Sequence, residues 1–193
     1  MIRAGLTGGL ASGKTSVGRI LESFGCHVFH ADELGHAVLA PGGEAAESVM
    51  REFGTIDRPK LAAEVFRNPE RLALLNSLVH PWVIAREERL MAEAVAKDPG
   101  GIAVVEAAIL IETGGYKRYD RLILVVCTEE QQIQRAMARD GFTREEAVTR
   151  LARQMPLSEK RNFADYVIDT SGTREITLQQ TRTVYDALRS LQK

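Results

Sequence analysis

The chain has 193 residues, of which 45% are hydrophobic and 26% are charged. At about 150 residues per domain, this length predicts one domain with an insertion, and the composition excludes intrinsic disorder. The 25 basic and 26 acidic side chains leave a formal charge of −1. A nucleic-acid coat or a membrane-surface helix usually carries a basic excess, so we expect neither nucleic acid nor a membrane as a partner.

The sequence also carries signals about the cellular compartment. No apolar run approaches the roughly 18 residues of a membrane span, and the first residues lack the pattern of a secretory signal. Cys26 and Cys127 are the only cysteines, and two distant thiols predict neither a zinc site nor a disulfide framework. We therefore expect a cytoplasmic protein, and its oligomeric state stays open.

The N-terminal stretch has the pattern of a strand, a loop, a helix and a second strand. Residues Ile2–Thr7 are mostly apolar, as in a strand buried on both faces, and Cys26–Ala31 resumes strand character. Between them, Gly25 is placed to end a helix. That helix is predicted by apolar residues at helical spacing: Val17, Ile20, Leu21 and Phe24. Together these elements form a βαβ unit, which is normally parallel and right-handed.

The second half of the chain continues with strands and helices. The strand candidates are Ile102–Glu106, Leu122–Cys127 and Asp165–Ile168. Capping boxes predict two helix starts, and an apolar stripe predicts a closing helix: Thr128 with Gln131, Thr143 with Glu146, and Arg174–Leu191 with Val184, Leu188 and Leu191 on one face. Five strands with interleaved helices predict an α/β, doubly wound sheet.

Residues 41–100 contain no convincing strand and predict a helical insertion between the second and third strands. Asn68 and Pro69 form an N-cap followed by proline at the first helical position. Pro81 lacks a backbone donor and disfavours helical geometry at His80, so we expect a break or a kink there.

The segment after the first strand matches the phosphate-loop pattern G-x-x-x-x-G-K-[ST] in full. Its glycines let the backbone aim several N–H groups at one anion, and the helix that follows adds its positive dipole end. Lys14 is expected to reach the β- and γ-phosphates, and the Thr15 hydroxyl to ligate Mg²⁺. The predicted nucleotide-binding residues are Gly8, Gly9, Leu10, Ala11, Ser12, Gly13, Lys14, Thr15 and Ser16.

A phosphate loop alone does not separate a switch, a motor and a kinase. The guanine-reading pattern N/T-K-x-D is absent, which argues against a GTPase. Asp32 ends the second predicted strand, at the sheet edge where ligands gather, and a kinase needs a carboxylate there to accept a hydroxyl proton. The alternative role for Asp32 is an N-cap of a helix that starts at Glu33, and both roles can coexist.

Residues 135–161 are rich in basic side chains and predict a helical lid that closes over ATP. Guanidinium groups stabilise the charge that spreads over the γ-phosphate oxygens. Arg139, next to the hinge candidate Asp140-Gly141, is the preferred lid arginine. The alternative is a solvated pair of helices with salt bridges on the surface.

The ordered set of motifs resembles the dephospho-CoA kinase family along the whole chain. The matching segments are Leu6–Thr15, Ala31-Asp32, His80-Pro81, Ile109–Glu112, Arg139–Gly141, Arg150–Gln154 and Ala164–Asp169. The resemblance implies phosphorylation by ATP, with Mg²⁺, of the ribose 3′-hydroxyl of dephospho-CoA, which gives coenzyme A and ADP in the last step of coenzyme A biosynthesis. It also implies a five-stranded parallel P-loop NTPase core like that of nucleotide kinases, a helical acceptor-binding insertion and a helical lid.

Within a single kinase domain, 1–193, the predicted parts are a core of residues 1–40, 101–134 and 162–193, an acceptor-binding subdomain of residues 41–100 and a lid of residues 135–161. Carried over by position, the resemblance makes Asp32 the catalytic base and Arg139 the lid arginine, both acting with Lys14 in catalysis. It places three further residues at the acceptor, namely Arg58, His80 and Glu112. For His80 the alternative is a helix-break residue, and for Glu112 a surface carboxylate near Lys117.

Two residues depart from the family pattern. His30 stands where the family often has an aspartate, and Ala108 replaces the usual proline of the P-L-L-x-E motif. Glu106, two positions before Ala108, is the candidate for the missing second carboxylate. From the residues alone, another small-molecule or nucleoside-monophosphate kinase and a non-catalytic nucleotide switch stay open as alternative functions.

Overall fold

A computed structural model describes residues 1–65 and 68–191. The chain divides into two compact units, one of residues 1–29 and 94–193 and the other of residues 30–93. The helical unit begins before the predicted residue 41, because Leu34 and Val38 share an apolar cluster with the helices that follow. The predicted lid, residues 135–161, lies within the first unit.

The first unit is built on a five-stranded sheet with strand order β2-β3-β1-β4-β5. The strands are β1 Ile2–Gly8, β2 His27–His30, β3 Ile102–Glu106, β4 Arg121–Val126 and β5 Tyr166–Asp169. The pairs β1–β3, β1–β4 and β4–β5 are parallel. All five predicted strands are confirmed, although β2 begins one residue later and ends one residue earlier than expected, because Ala31 already belongs to a helix.

The predicted burial of the central strands is confirmed. Every residue of β3 is buried, and so is Leu122–Val126 of β4, which explains why neither strand alternates between apolar and polar residues. Around the sheet lie α1 Lys14–Ser23, α6 Glu129–Asp140, α7 Arg144–Leu151, α8 Leu157–Lys160 and α9 Arg174–Ser190. Helices α1 and α9 contribute Val17, Leu21, Val184 and Leu188 to the core, whereas Leu191 lies just beyond α9 and is 39% exposed.

Local sequence signals fix the ends of several helices. Both predicted capping boxes form, because Thr128 and Thr143 each accept from the backbone N–H three residues on. Gly25 follows α1 with φ +91°, and its N–H donates to the Glu22 carbonyl, as expected of a glycine that ends a helix. Gly141 ends α6 in the same left-handed conformation, with φ +70°.

The second unit consists of helices packed around their own apolar cluster. They are α2 Ala31–Leu39, α3 Ala46–Phe53, α4 Arg58–Val65 and α5 Pro69–Lys97, of which residues 94–97 are assigned to the first unit. The predicted cap is confirmed, since Asn68 Oδ1 accepts from the N–H groups of Glu70 and Arg71 at 3.1 Å each. Of the predicted break or kink at Pro81, the break is wrong, because α5 runs through this residue. Proline removes one hydrogen bond, whereas Val79 and Val83 on either side are buried in the cluster and hold the helix together.

Among the described residues, no helix combines the length and the apolar character that crossing a membrane requires.

Candidate active site

The predicted phosphate loop, residues Gly8–Thr15, connects the central strand β1 to helix α1. Gly8 is the last residue of β1 and Lys14 the first of α1. Gly13 turns the chain with φ +94°, and Ala11 adopts φ +51°, which a residue with a Cβ rarely does. The N-cap residue of α1 is Gly13, which has no side chain to cap the first backbone N–H groups of the helix.

The Lys14 side chain folds back over the loop. Its ammonium donates to the Gly9 carbonyl at 3.0 Å and is half-buried. This places a positive charge beside the loop backbone and the N-terminus of α1. The arrangement fits binding of an anion such as a triphosphate.

The next residue, Thr15, brings an acid from the neighbouring strand into the site. The Thr15 hydroxyl donates to Glu106 Oε1 at 2.8 Å, and Glu106 is the buried last residue of β3. Register pairing of Leu6 with Glu106 brings this carboxylate to the carboxyl edge of β1. The absence of a side chain at Gly18 makes space for the Glu106 carboxylate, because a Cβ there would lie 3.2 Å from Glu106 Oε2.

These two oxygens fit a magnesium ion. Mg²⁺ takes hard oxygen ligands at about 2.0–2.1 Å in an octahedron, whose adjacent oxygens lie roughly 2.9 Å apart. Thr15 Oγ1 and Glu106 Oε1 are hydrogen-bonded at 2.8 Å, so the two oxygens could share one ion in place of this bond with little movement. Glu106 is therefore the carboxylate that lies beside Thr15, and its binding of Mg²⁺ stays a prediction.

Side chains distant in sequence hold the loop backbone. The Leu10 N–H donates to Gln154 Oε1 at 2.8 Å, and the Leu10 carbonyl accepts from Gln132 Nε2 at 2.7 Å. The Thr170 hydroxyl donates to the Ser12 carbonyl at 2.8 Å, and Thr170 is in turn bound by the Arg135 guanidinium. Sequence reasoning missed these contacts. Arg135 falls within the predicted lid, residues 135–161, but its guanidinium contacts Thr170, the residue that follows β5.

A buried lysine forms an ion pair next to the loop. Lys160 is fully buried, and its Nζ lies 2.8 Å from Glu112 Oε1, 3.0 Å from the Ala108 carbonyl and 3.4 Å from the Gly8 carbonyl. Glu112 also accepts from the Met155 N–H at 3.2 Å. Glu112 is exposed, as the alternative of a surface carboxylate expected, but its ion-pair partner is Lys160.

Arg139 lies at the exposed end of α6. Its guanidinium makes two hydrogen bonds of 2.8 Å to the carboxylate of Asp140, which raises the pKa of Arg139 and lowers that of Asp140. Surface pairing is also present nearby, since Arg144 binds Glu130 at 2.7 Å. The surface salt bridges of the alternative are therefore present in this segment, and its role as a lid stays a prediction.

The remaining predicted residues belong to the second unit. Asp32 is exposed in the first turn of α2, which begins at Ala31, so the predicted N-cap role before Glu33 is wrong. Arg58 is the exposed first residue of α4. His80 is half-buried in α5, and burial lowers its pKa while the charge of Glu87 opposes the shift. How these residues approach the loop stays a prediction.

Comparisons with known proteins agree with the loop and the sheet. A family model described as dephospho-CoA kinase (CoaE) matches residues 2–175. The chain is 40% identical over 188 residues to the dephospho-CoA kinase of Carboxydothermus hydrogenoformans, an alignment that covers 93% of this chain and 91% of that protein.

Solved structures share the architecture. The crystal structure of TT1252 from Thermus thermophilus superposes with a TM-score of 0.83 at 33% identity, over 96% of each chain. The dephospho-CoA kinase of Campylobacter jejuni shares the fold with a TM-score of 0.69 at 24% identity, over 99% of this chain and 98% of that one. The chain therefore belongs to the dephospho-CoA kinase family and is an ATP-dependent kinase.

Proposed function

We propose that this chain transfers the γ-phosphoryl group of ATP to the ribose 3′-hydroxyl of dephospho-CoA and releases coenzyme A and ADP. The observation that carries this proposal is the phosphate loop, with Thr15 and Glu106 in contact beside Lys14. Relatives named dephospho-CoA kinase align with nearly the whole chain, and they support the choice of acceptor.

In this proposal the loop and the first turn of α1 bind the triphosphate. The backbone N–H groups face the phosphate oxygens, and Lys14 leaves the Gly9 carbonyl to contact the β- and γ-phosphates. Thr15 and Glu106 would hold Mg²⁺, which supplies positive charge against the β- and γ-phosphate oxygens. Because the end of α1 is in place before ATP arrives, binding at the loop requires mainly that the Lys14 side chain change its partner.

Asp32 is the proposed catalytic base. The chain enters α2 directly after β2, so Asp32 follows a strand at the carboxyl edge of the sheet, where ligands gather in open α/β folds. Its carboxylate would accept the proton of the 3′-hydroxyl as that oxygen bonds to the γ-phosphorus. The bond from the γ-phosphorus to the bridging oxygen breaks, and the electron pair leaves with ADP.

Arg139 is the proposed lid group. Its guanidinium would exchange Asp140 for the γ-phosphate oxygens, where negative charge spreads during transfer. This exchange keeps the arginine paired in both states. The glycine that ends α6, Gly141, gives the chain the conformational freedom to reorient the helix end.

Three residues are proposed at the acceptor. Arg58 offers an exposed cation for the phosphate groups of dephospho-CoA, and His80, neutral at pH 7 because its pKa is lowered, offers a hydrogen bond. For Glu112, Oε1 is already bound by Lys160 and Met155, so an acceptor contact would fall to Oε2. A cytoplasmic location also stays a prediction.

The test follows ADP release with dephospho-CoA, with nucleoside monophosphates and without acceptor, in parallel. We expect stimulation by dephospho-CoA alone and formation of coenzyme A. Stimulation by a nucleoside monophosphate would indicate another small-molecule kinase, and no stimulation by any acceptor would indicate a nucleotide switch.

The role of Asp32 is tested with Asp32→Asn. The variant should bind ATP normally and lose turnover by roughly 10²-fold or more, because the amide cannot accept the proton. Asp186→Asn, which also replaces an exposed helical aspartate but on α9, is the matched control and should keep wild-type turnover. Near-normal turnover of Asp32→Asn would refute the base assignment.

A further inference from the structure

The end of the lid contacts the start of the phosphate loop at two places. We call residues 154–160 the lid base. At one end of it, Gln154 Oε1 accepts from the Leu10 N–H at 2.8 Å. At the other end, Lys160 Nζ contacts the Gly8 carbonyl at 3.4 Å. Both contacts lie within the first unit and join residues separated by 144 and 152 positions in the sequence.

Lys160 is fully buried, which packing alone does not explain, because an apolar side chain could fill the same space without burying a charge. A fully buried ammonium loses its hydration, and the loss is recovered only when its donors meet good acceptors. Lys160 meets three: a carboxylate oxygen of Glu112, the Ala108 carbonyl and the Gly8 carbonyl. The Ala108 carbonyl also accepts from the Thr7 hydroxyl, so the amine joins the end of β1 to the segment after β3.

The contact of Gln154 fixes a peptide next to a strained residue. The N–H of Leu10 is bound by Gln154 and its carbonyl by Gln132, so both backbone groups of this residue are fixed by side chains. The next residue, Ala11, has φ +51°, a conformation that is costly for alanine and persists only when its surroundings enforce it. The hydrogen bonds of Gln154 and Gln132 to Leu10 restrain the backbone directly before Ala11 and so stabilise the conformation of Ala11.

We propose that Gln154 and Lys160 are positioning residues for ATP, which hold Gly8–Leu10 and the Ala11 conformation in the shape that receives the triphosphate. ATP affinity then depends on the docked lid base, although neither side chain needs to touch the nucleotide. The inference rests on the proposed function only for the identity of the ligand, ATP. It adds two residues that affect ATP affinity through their hydrogen bonds to the loop backbone.

The experiment measures the equilibrium Kd of ATP, without acceptor, for Gln154→Leu and Lys160→Met well below each variant's unfolding midpoint. Each should weaken ATP binding about tenfold, the size expected for one lost hydrogen bond. The KM for ATP should rise in parallel for both variants, whereas kcat at saturating ATP and, for Gln154→Leu, the KM for dephospho-CoA should stay within about twofold. Thr181→Val is the control, because it removes a buried hydroxyl bond within α9.

A purely structural role would lower the unfolding midpoint and leave the Kd of ATP unchanged, as expected for Thr181→Val. A lower unfolding midpoint with an unchanged Kd of ATP in Gln154→Leu would overturn the proposal. If Lys160→Met does not fold, the Kd of ATP for Gln154→Leu alone tests the proposal. In the double variant Lys160→Met/Glu112→Gln, recovery of wild-type affinity would show that Lys160 only neutralises Glu112 and would refute its positioning role. A wild-type chain that binds ATP but does not phosphorylate dephospho-CoA would refute the proposed function alone.

Discussion

The substitution Gly9→Ala tests how the loop is held. Gly9 has no positive φ, so its backbone accepts alanine without strain. The added Cβ, however, would lie 2.2 Å from Gln132 Nε2. The amide of Gln132 must therefore move, and its bond of 2.7 Å to the Leu10 carbonyl must break.

The cost follows from the burial of that amide. Gln132 is only 4% exposed, so the displaced amide and the carbonyl it leaves gain little from water. A buried polar group left without its partner costs about 1–3 kcal/mol, and the flexible glutamine side chain places this case in the lower half. At about 2–4 °C per kcal/mol for a chain of this size, the unfolding midpoint should fall by roughly 2–8 °C. The Kd of ATP should rise as well.

Calorimetric unfolding and ATP titration of a double-mutant cycle provide the assay. Gln132→Ala removes the obstacle, so Gly9→Ala should cost little more in that background, and the two effects should not add. Gly35→Ala is the control, since a Cβ at Gly35 in α2 meets no atom of the described chain within 4 Å, and a helical alanine should stabilise. Full additivity of the cycle, or wild-type stability of Gly9→Ala, would refute the reasoning.

Two further predictions concern charge. Glu106→Gln keeps a hydrogen-bonding group opposite the Thr15 hydroxyl but loses the negative charge, so half-maximal activity should require roughly tenfold more Mg²⁺, and an unchanged Mg²⁺ titration would contradict the proposed ligand. Burial lowers the pKa of His80, so unfolded chains, with a pKa near 6.5, take up the proton first. Its contribution to stability is therefore complete above about pH 6.5 and is lost as the pH falls toward the lowered pKa of the folded state. Urea unfolding between pH 5 and 7 should show that the free energy of unfolding depends less steeply on pH in His80→Asn, by at most about 1.4 kcal/mol per pH unit. An unchanged slope would show that His80 does not contribute to the pH dependence of stability.

Local patterns predicted most of the fold. The strands β3 and β4 were visible as apolar runs, and the helix starts at Thr128 and Thr143 as capping boxes, because each signal lies within a few neighbouring residues. The phosphate loop was found for the same reason. The break at Pro81 failed because packing of α5, which is not local, outweighs one missing hydrogen bond.

The supports of the site could not be found in this way. Lys160 looked like one more basic residue of an exposed lid, yet it is fully buried. Nothing in its neighbours in sequence distinguishes a surface lysine from one whose acceptors are Gly8, Ala108 and Glu112. Gln154 belonged to a matching family motif, but its partner Leu10 lies 144 positions away. Contacts of this kind become visible only once the sheet has brought the segments together.

The central position of β1 bears on how the site behaves when the protein fluctuates. The strand pairs on one side with β3 and on the other with β4, whereas β2 and β5 form the outer edges. Amide hydrogens of a central strand exchange only in the largest openings, and edge strands open first. Fraying of either edge would therefore leave the root of the phosphate loop folded, and the amide hydrogens of Ala4–Thr7 should be among the last in the chain to exchange with deuterium.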